Sequence, residues 1–232
     1  MFGAIVFLPV YLQIVRGVSP TQSGLELLPL MVGLFVASVV SGRRITSTGR
    51  YKRFPIAGTA ITAVGLGLLS TLGADTPYWR TSLFMLTLGV GIGLVMQVIV
   101  LAMQNSVDPR DMGVATSSAT FFRSLGGTFG TALFGTVLAN RLASELAQRL
   151  PVGAMHGINP SQLTGSPQVI AALPRAIRGP VISSFVSSLS TVFVSAVPIV
   201  LIAFVLTWFL QEIKLRGHHD AATEVAEPAG VI

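Results

Sequence analysis

Long stretches without a charged residue constrain the fold of this chain more than any other feature. Residues 54–74 and 81–107 contain no Asp, Glu, Lys or Arg, and residues 179–211 form an uncharged stretch of 33 residues. Residues 27–42 are also uncharged, and residues 112–140 carry one charge. A helix that crosses the hydrocarbon core of a bilayer needs about 20 apolar residues. The pattern therefore predicts a polytopic membrane protein.

The opening segment, residues 1–15, is the shortest apolar segment. At about 1.5 Å per residue it spans roughly 22 Å, which is less than the ~30 Å core. Either this helix is shallow or it begins upstream of the chain, and we favour the second reading. The predicted fold is all-α, a six-transmembrane-helix bundle over residues 1–211 followed by a cytoplasmic tail at 212–232. The predicted spans lie at about 1–15, 25–42, 54–74, 81–105, 114–140 and 184–210.

A short basic segment between the second and third spans predicts the orientation. Residues 42–54 read GRRITSTGRYKRF and contain five Lys or Arg and no acid. Short loops rich in Lys and Arg stay on the cytoplasmic side of the membrane. Alternation then places residues 16–24, 75–80 and the long loop 141–180 outside, and both termini inside. Arginines in the long loop oppose this orientation, but the charge bias weakens as loops lengthen, so we rely on the short loop.

Composition argues against several other classes of function. Hydrophobic residues make up 51% of the chain and the mean hydropathy is +0.74. The net charge of +6 is assigned to cations that flank the membrane, since no basic run is interleaved with aromatic residues, and no nucleic acid partner is expected. Without cysteine there is no thiol nucleophile or Cys-based metal site. No catalytic Ser/His/Asp arrangement or nucleotide loop is visible, so we expect no enzyme, no metal and no cofactor.

Four stretches together resemble one half of a known transporter family. They are FLPVYLQIVRGVSPTQSGLELLPL at 7–30, the basic segment 42–54, MQVIVLAMQNSVDPRDMGVATSSATFFRSLGGTFGTALFG at 96–135, and LQEIKLRG at 210–217. In order and spacing they are similar to the C-terminal six-helix half of a major facilitator superfamily transporter. The closest resemblance is to the fourteen-helix drug/proton antiporters of the EmrB/QacA-like subfamily. The family's loop motif carries Asp where this chain has Thr46, so the latch formed by that Asp is not carried over.

The resemblance implies a secondary transporter in a cell membrane, a bacterial inner or plasma membrane. It would export drugs or other amphiphilic or cationic small molecules in exchange for protons by alternating access. Its partners would be the lipid bilayer, the substrate, protons, and either an N-terminal bundle outside this chain or a second copy of the chain. Two alternatives stay open. The chain is a truncated or split-gene fragment that is inactive alone, or a membrane interaction subunit that needs a partner bundle.

Polar residues inside the spans are the candidates for substrate contact. Arg123 is the most costly of them, because an intramembrane Arg costs about 3 kcal/mol on insertion scales, so it should face water, a partner or the bundle interior. Snorkelling to the cytoplasmic surface is the alternative. Gln97 and Gln104 share one helix face, where amides can contact varied substrates or join helices. The full candidate set is Tyr11, Gln13, Gln97, Gln104, Asn105 and Arg123.

Three further groups have predicted roles in coupling, gating and packing. Glu26 is the acid near a span and the candidate for proton coupling, although Ser23 and Glu26 also have the spacing of a capping box. The resemblance implies a gating role for five residues of the basic segment, namely Gly42, Arg43, Gly49, Arg50 and Lys52. The alternative is that the cations of this segment only set the topology. Small-residue stripes that permit close helix approach are predicted at Gly89, Gly91 and Gly93 and at Gly126, Gly127, Gly130 and Gly135.

Overall fold

The computed structural model describes residues 2–149, 170 and 174–210, and the regular structure in this part of the chain is entirely helical. This confirms the all-α prediction. The helices are α1 (Phe2–Val10, continued by a π-helical turn Tyr11–Val15), α2 (Pro20–Glu26), α3 (Leu28–Thr48), α4 (Arg53–Leu69), α5 (Tyr78–Ser106), α6 (Met112–Arg149) and α7 (Arg175–Trp208), with a 3-10 turn at Pro109–Asp111.

Three stretches of the described residues are long and apolar enough to cross a bilayer, namely Pro20–Thr48, Tyr78–Gln104 and Ile177–Trp208. Two shorter apolar helices cover Gly3–Val15 and Arg53–Leu69. The fifth predicted span, 114–140, falls within α6, which is rich in Ser, Thr and Gly. The assignment of six spans therefore stays a prediction.

Helix α6 extends further than the predicted fifth span. Its 38 residues give a length of about 57 Å, well beyond a hydrocarbon core. Leu142 and Leu146 are fully buried in the last turns, so apolar packing continues the helix to Arg149. Both ends of the predicted loop 141–180 are helical in the structure, because α6 continues to Arg149 and α7 begins at Arg175. The rest of that loop, apart from Ile170 and Pro174, and the predicted tail 212–232 lie outside the described residues.

The basic segment is shorter as a loop than the sequence predicts. Helix α3 continues to Thr48, so Gly42 and Arg43 are helical and not part of a loop. The Thr48 hydroxyl donates a hydrogen bond to the Arg44 carbonyl at 2.6 Å, one turn back, and this bond is compatible with a continuing helix. Gly49 ends the helix in the left-handed conformation at φ 68°, a position that favours glycine. The connection to α4 comprises only residues 49–52.

Glycines bring α5 into close contact with the helices on both sides. A Cβ atom at Gly89 would lie against the backbone carbonyl of Leu30 in α3, and one at Gly91 would lie 2.5 Å from the Thr62 backbone nitrogen in α4. Gly93 packs in the same manner against Leu34. Side chains at these positions would prevent the helices from approaching. The predicted packing role of these three glycines is therefore confirmed.

Most of the buried apolar side chains lie at one end of the bundle, where α1 and α4 end and α5 and α7 begin. Leu69, Met85 and Phe185 are fully buried there in one cluster. The connection residues 49–52, the 3-10 turn and the end of α7 lie at the opposite end, where Ile45 and Val98 belong to a smaller cluster. The helices thus alternate in direction, and the bundle has one tightly packed end.

Candidate functional site

A cavity of about 930 Å³ lies between α1, α4, α5, α6 and α7. Its lining on α5 extends from Leu88 to Met103, and its lining on α6 extends from Phe134 back to Thr116. The cavity therefore reaches from the middle of the bundle to the end that carries the basic segment. Its volume lies within the range of small-molecule sites, about 300–1,000 Å³.

The wall of this cavity is mainly apolar. Phe7, Met96, Met103 and Phe193 contribute large side chains from three helices. Met adapts its shape to different partners, and aromatic rings offer large flat contact surfaces. On α6 the wall is formed partly by glycine backbone, which leaves room in front of that helix. Such a wall can accommodate apolar molecules of more than one shape.

Arg123 is the charged residue among those that line the cavity. It lies eleven residues after the first residue of α6, about 16 Å along the helix. Its side chain is exposed, and no ion pair joins it to an acid of the described residues. The expectation that Arg123 faces the interior of a cavity therefore agrees with its placement, and its role in substrate binding stays a prediction.

Two of the other substrate candidates lie away from the cavity lining. Tyr11 is buried and donates a hydrogen bond from its hydroxyl to the Gly73 carbonyl at 2.9 Å, which joins α1 to the segment after α4. Gln13 donates from Nε2 to the Ser23 hydroxyl at 2.9 Å. Both side chains are used in contacts at the packed end. These two polar residues join segments within the bundle and do not line this cavity, so their role in substrate binding stays a prediction.

The two glutamines of α5 also lie outside the lining, although they share a helix with six residues that form it. Gln97 is exposed and Gln104 is half-buried, while Met96, Ile99, Val100 and Met103 face the cavity. An α-helix turns by about 100° per residue, so Gln97 points away from the face on which its neighbour Met96 lines the cavity. These two glutamines do not line this cavity together with Arg123, and their role in substrate binding stays a prediction. The side chain of Asn105 lies outside the described residues.

The glycine stripe of α6 has a different environment from the glycines of α5. A Cβ atom at Gly126, Gly130 or Gly135 would meet nothing within 4 Å. Gly126, Gly127 and Gly130 line the cavity instead. The predicted close packing is not found among the described helices, because α6 lies apart from α5 along this face.

Glu26 is held in a polar cluster at the packed end. Its Oε2 lies 3.5 Å from Arg16 Nε, and Gln22 Nε2 donates to its Oε1 at 3.2 Å. The Arg16 guanidinium also lies 5.2 Å from the centre of the Tyr78 ring. Glu26 does not form the capping box, because α2 is capped by the Ser19 hydroxyl, which accepts from the backbone N–H of Gln22.

A second acid, Glu145, forms a cluster that the sequence reasoning missed. Its carboxylate accepts a hydrogen bond from Arg149 Nε at 2.9 Å and one from the Ser187 hydroxyl at 3.0 Å, and Arg141 Nη2 lies at 3.2 Å. The cluster joins the end of α6 to α7. The i, i+4 spacing of Arg141, Glu145 and Arg149 is the sequence signal for this cluster, since the helical spacing of Leu142 and Leu146 already predicts a helix there.

The charge of Glu145 makes this contact pH-dependent. Burial alone raises the pKa of the carboxyl, but the Ser187 hydrogen bond and the charges of Arg149 and Arg141 outweigh it, so the pKa is lowered from 4.5. A carboxyl whose pKa is lower in the folded state stabilises the fold above its unfolded pKa. That stabilisation is lost as the pH falls below 4.5 through the folded pKa.

We therefore expect Glu145→Gln to lower the melting temperature of the detergent-solubilised protein at pH 7 by about 2–4 °C. The difference from the wild type should be smaller at pH 3, because that pH lies below the unfolded pKa of 4.5 and part of the stabilisation is lost there. Thermal unfolding followed by circular dichroism at both pH values measures this. Asp111→Asn, at an exposed position, is the matched control and should change neither value. A difference that is equal at pH 7 and pH 3 would contradict the assignment.

Comparison with known proteins gives the family. A sequence model of the Major Facilitator Superfamily matches residues 1–131. An uncharacterized MFS-type transporter of Mycobacterium tuberculosis (strain H37Rv) is 42% identical over 231 residues, which cover 100% of this chain and 33% of the relative. The multidrug transporter protein MdtP of Bacillus subtilis (strain 168) is 34% identical over 240 residues, which cover 94% of this chain and 44% of MdtP.

A tetracycline resistance determinant of Streptomyces rimosus is 32% identical over 252 residues, which cover 99% of this chain and 72% of that protein. The chain spans about a third of the length of the Mycobacterium tuberculosis relative. Each relative matches nearly the whole chain, and the helical bundle agrees with the match. The chain belongs to the Major Facilitator Superfamily.

Proposed function

We propose that this chain forms one bundle of a secondary transporter that exports small amphiphilic molecules. The observation that carries the proposal is the cavity of about 930 Å³, whose apolar wall holds one arginine. Its size and chemistry suit a molecule with an apolar body and a polar group. The names of two relatives, a multidrug transporter and a tetracycline resistance determinant, support export of such compounds.

In the proposed orientation, the end with the basic connection faces the cytoplasm, and both ends of the chain lie on that side. Arg50 and Lys52 lie in this connection, and Arg43 and Arg44 lie in the last turns of α3. Cations at this position resist translocation. The cavity then opens toward the cytoplasm, the side from which an exporter takes up its substrate. Gly49 and the short connection would transmit movement between α3 and α4.

The bundle would work against a second bundle, as alternating access requires. The glycines of α6 support this, because a Cβ atom at Gly126, Gly130 or Gly135 would meet no atom of the described residues within 4 Å and room is left beside the helix. The second bundle is an N-terminal one or another copy of this chain. Tyr11 and Gln13 would hold the packed end together during this movement.

Proton coupling is proposed through Glu26. Its carboxylate is mostly buried and ion-paired with Arg16, at the end that faces outward in this orientation. A proton arriving from outside would neutralise Glu26 and release Arg16. Arg16 also contacts the Thr76 carbonyl and the Tyr78 ring. Once Glu26 no longer holds the guanidinium in place, Arg16 could move away from both, and the contact between α1 and α5 would loosen.

We expect cells that produce this transporter to accumulate less of a fluorescent amphiphilic dye than control cells, and an uncoupler to abolish the difference. The chain is produced in a drug-hypersensitive host, alone and in place of the matching segment of MdtP, and membrane insertion is checked by fractionation. Dye efflux in either form supports the proposal. Full insertion of both forms without efflux would contradict it.

The same assay tests the role of Glu26. Glu26→Gln removes the titrating group but can keep the hydrogen bond to Gln22, so efflux should lose its dependence on the proton gradient. Asp108→Asn, at an exposed position beyond α5, is the control. Efflux by Glu26→Gln that responds to the uncoupler as the wild type does would exclude Glu26 as the coupling residue.

A further inference from the structure

We propose that the cavity selects anionic over cationic amphiphiles and that the Arg123 guanidinium makes the selection. This inference rests on the proposed function and narrows its class of substrate. The ligand would carry a carboxylate, sulfonate or phenolate on a planar apolar body. The argument depends on the donors, the charges and the space that the cavity offers.

The first step is the supply of hydrogen-bond donors in the wall. Four threonines line the cavity, and each hydroxyl already donates to a carbonyl of its own helix. The bonds are those of Thr62 to Gly58 at 2.7 Å, Thr116 to Met112 at 2.9 Å, Thr120 to Thr116 at 2.9 Å and Thr131 to Gly127 at 2.8 Å. The remaining side-chain donors among the lining residues are the N–H groups of Arg123. A ligand that accepts hydrogen bonds is therefore favoured.

The second step is the balance of charge. Asp111, the nearest acid along α6, lies twelve residues before Arg123, about 18 Å along the helix. Glu145 lies 22 residues after it, about 33 Å along the helix, and is already paired with two arginines. The positive charge of Arg123 therefore has no counter-charge within the described wall. A cationic ligand would be repelled there, and an anionic ligand would form a charge-assisted hydrogen bond.

The third step is the space beside the guanidinium. Gly126, Gly127 and Gly130 follow Arg123 by three, four and seven residues, so they lie on the same face of α6. They present no side chain, and Phe134 follows one turn further along the lining. A planar apolar body can thus lie along the glycines while its anionic group reaches Arg123.

Three probes with one fluorescent body test this selection. Dansylglycine is an anion, dansylamide is neutral, and dansylcholine is a cation. We expect the purified chain in phosphatidylcholine nanodiscs to bind dansylglycine at least about tenfold more tightly than dansylcholine, as measured by fluorescence titration. Arg123→Gln should remove this preference and Arg123→Lys should keep most of it. Arg110→Gln, at an exposed position outside the cavity, makes the same change of charge and should leave the preference intact.

The outcomes separate this inference from the proposed function. The proposed selection would be overturned if the wild type bound the three probes equally or preferred the cation, or if its preference survived Arg123→Gln. None of these results would affect the dye-efflux assay, which tests transport separately. No binding of any probe would also overturn the selection. Anionic lipid headgroups offer the same chemistry, so phosphatidylglycerol is added in a parallel titration. In this titration phosphatidylglycerol makes up about a tenth of the nanodisc lipid. If it displaces dansylglycine, the cavity binds lipid, and the proposal of a small-molecule ligand is overturned.

Discussion

Gly89→Leu is expected to prevent the bundle from assembling, with a loss of at least tenfold in the amount of monodisperse protein extracted from membranes. Even a Cβ atom at this position would overlap the Leu30 carbonyl and lie 3.1 Å from the Leu34 nitrogen. Both contacts are backbone atoms of α3, so no side chain can move aside. The two helices would have to separate along their contact, and overpacking of this kind costs about 3 kcal/mol or more.

Gly67→Leu is the matched control for this prediction. Gly67 lies inside α4, and a Cβ atom there would meet nothing within 4 Å. Both variants make the same change of residue inside an apolar helix, so a difference in yield reports on packing and not on insertion. Size-exclusion chromatography of fluorescently tagged protein measures the yield of each. Equal yields for Gly89→Leu and Gly67→Leu would show that α3 and α5 are not packed as described.

The sequence predicts the all-α fold well, because long stretches without charge are typical of apolar helices. It predicts their ends less well. The basic segment looks like a loop, yet α3 continues through Gly42 and Arg43, because the first signal that ends the helix is Gly49. Beyond the fifth span, the helical spacing of Leu142 and Leu146 predicts that the helix continues, and both side chains find apolar partners while α6 continues up to Arg149. The end of α3 is thus set by a local signal, Gly49, whereas the continuation of α6 depends on partners that are distant in the sequence.

The candidate site is less predictable than the fold. The glycines of α5 and of α6 form similar patterns, but only those of α5 meet a neighbouring helix. Small residues permit close approach without requiring it, so the pattern cannot identify the partner. Among the substrate candidates whose side chains are described, Arg123 alone lines the cavity. The free-energy cost of its charge predicts that Arg123 faces a cavity. The polar groups of Tyr11 and the glutamines can be satisfied by packing contacts as well, so their type alone does not place them.

The second large effect is expected from filling the cavity. Ala119 is one turn before Arg123 on α6 and belongs to the cavity lining. Ala119→Trp places an indole in the space between α5 and α6, where the substrate would lie. We expect it to reduce dye efflux by at least tenfold, because the bulky ring excludes the substrate from the cavity while the packed end of the bundle is untouched.

Ala132→Trp provides the comparison, because Ala132 is an exposed residue of the same helix and does not belong to the cavity lining. Efflux is measured at equal amounts of inserted protein, so that loss of expression is not counted as loss of transport. The dansylglycine titration is repeated on both variants, and Ala119→Trp alone should lose binding. If Ala119→Trp exports dye as well as Ala132→Trp does, the substrate does not pass through this cavity, and its path must lie on another face of the bundle.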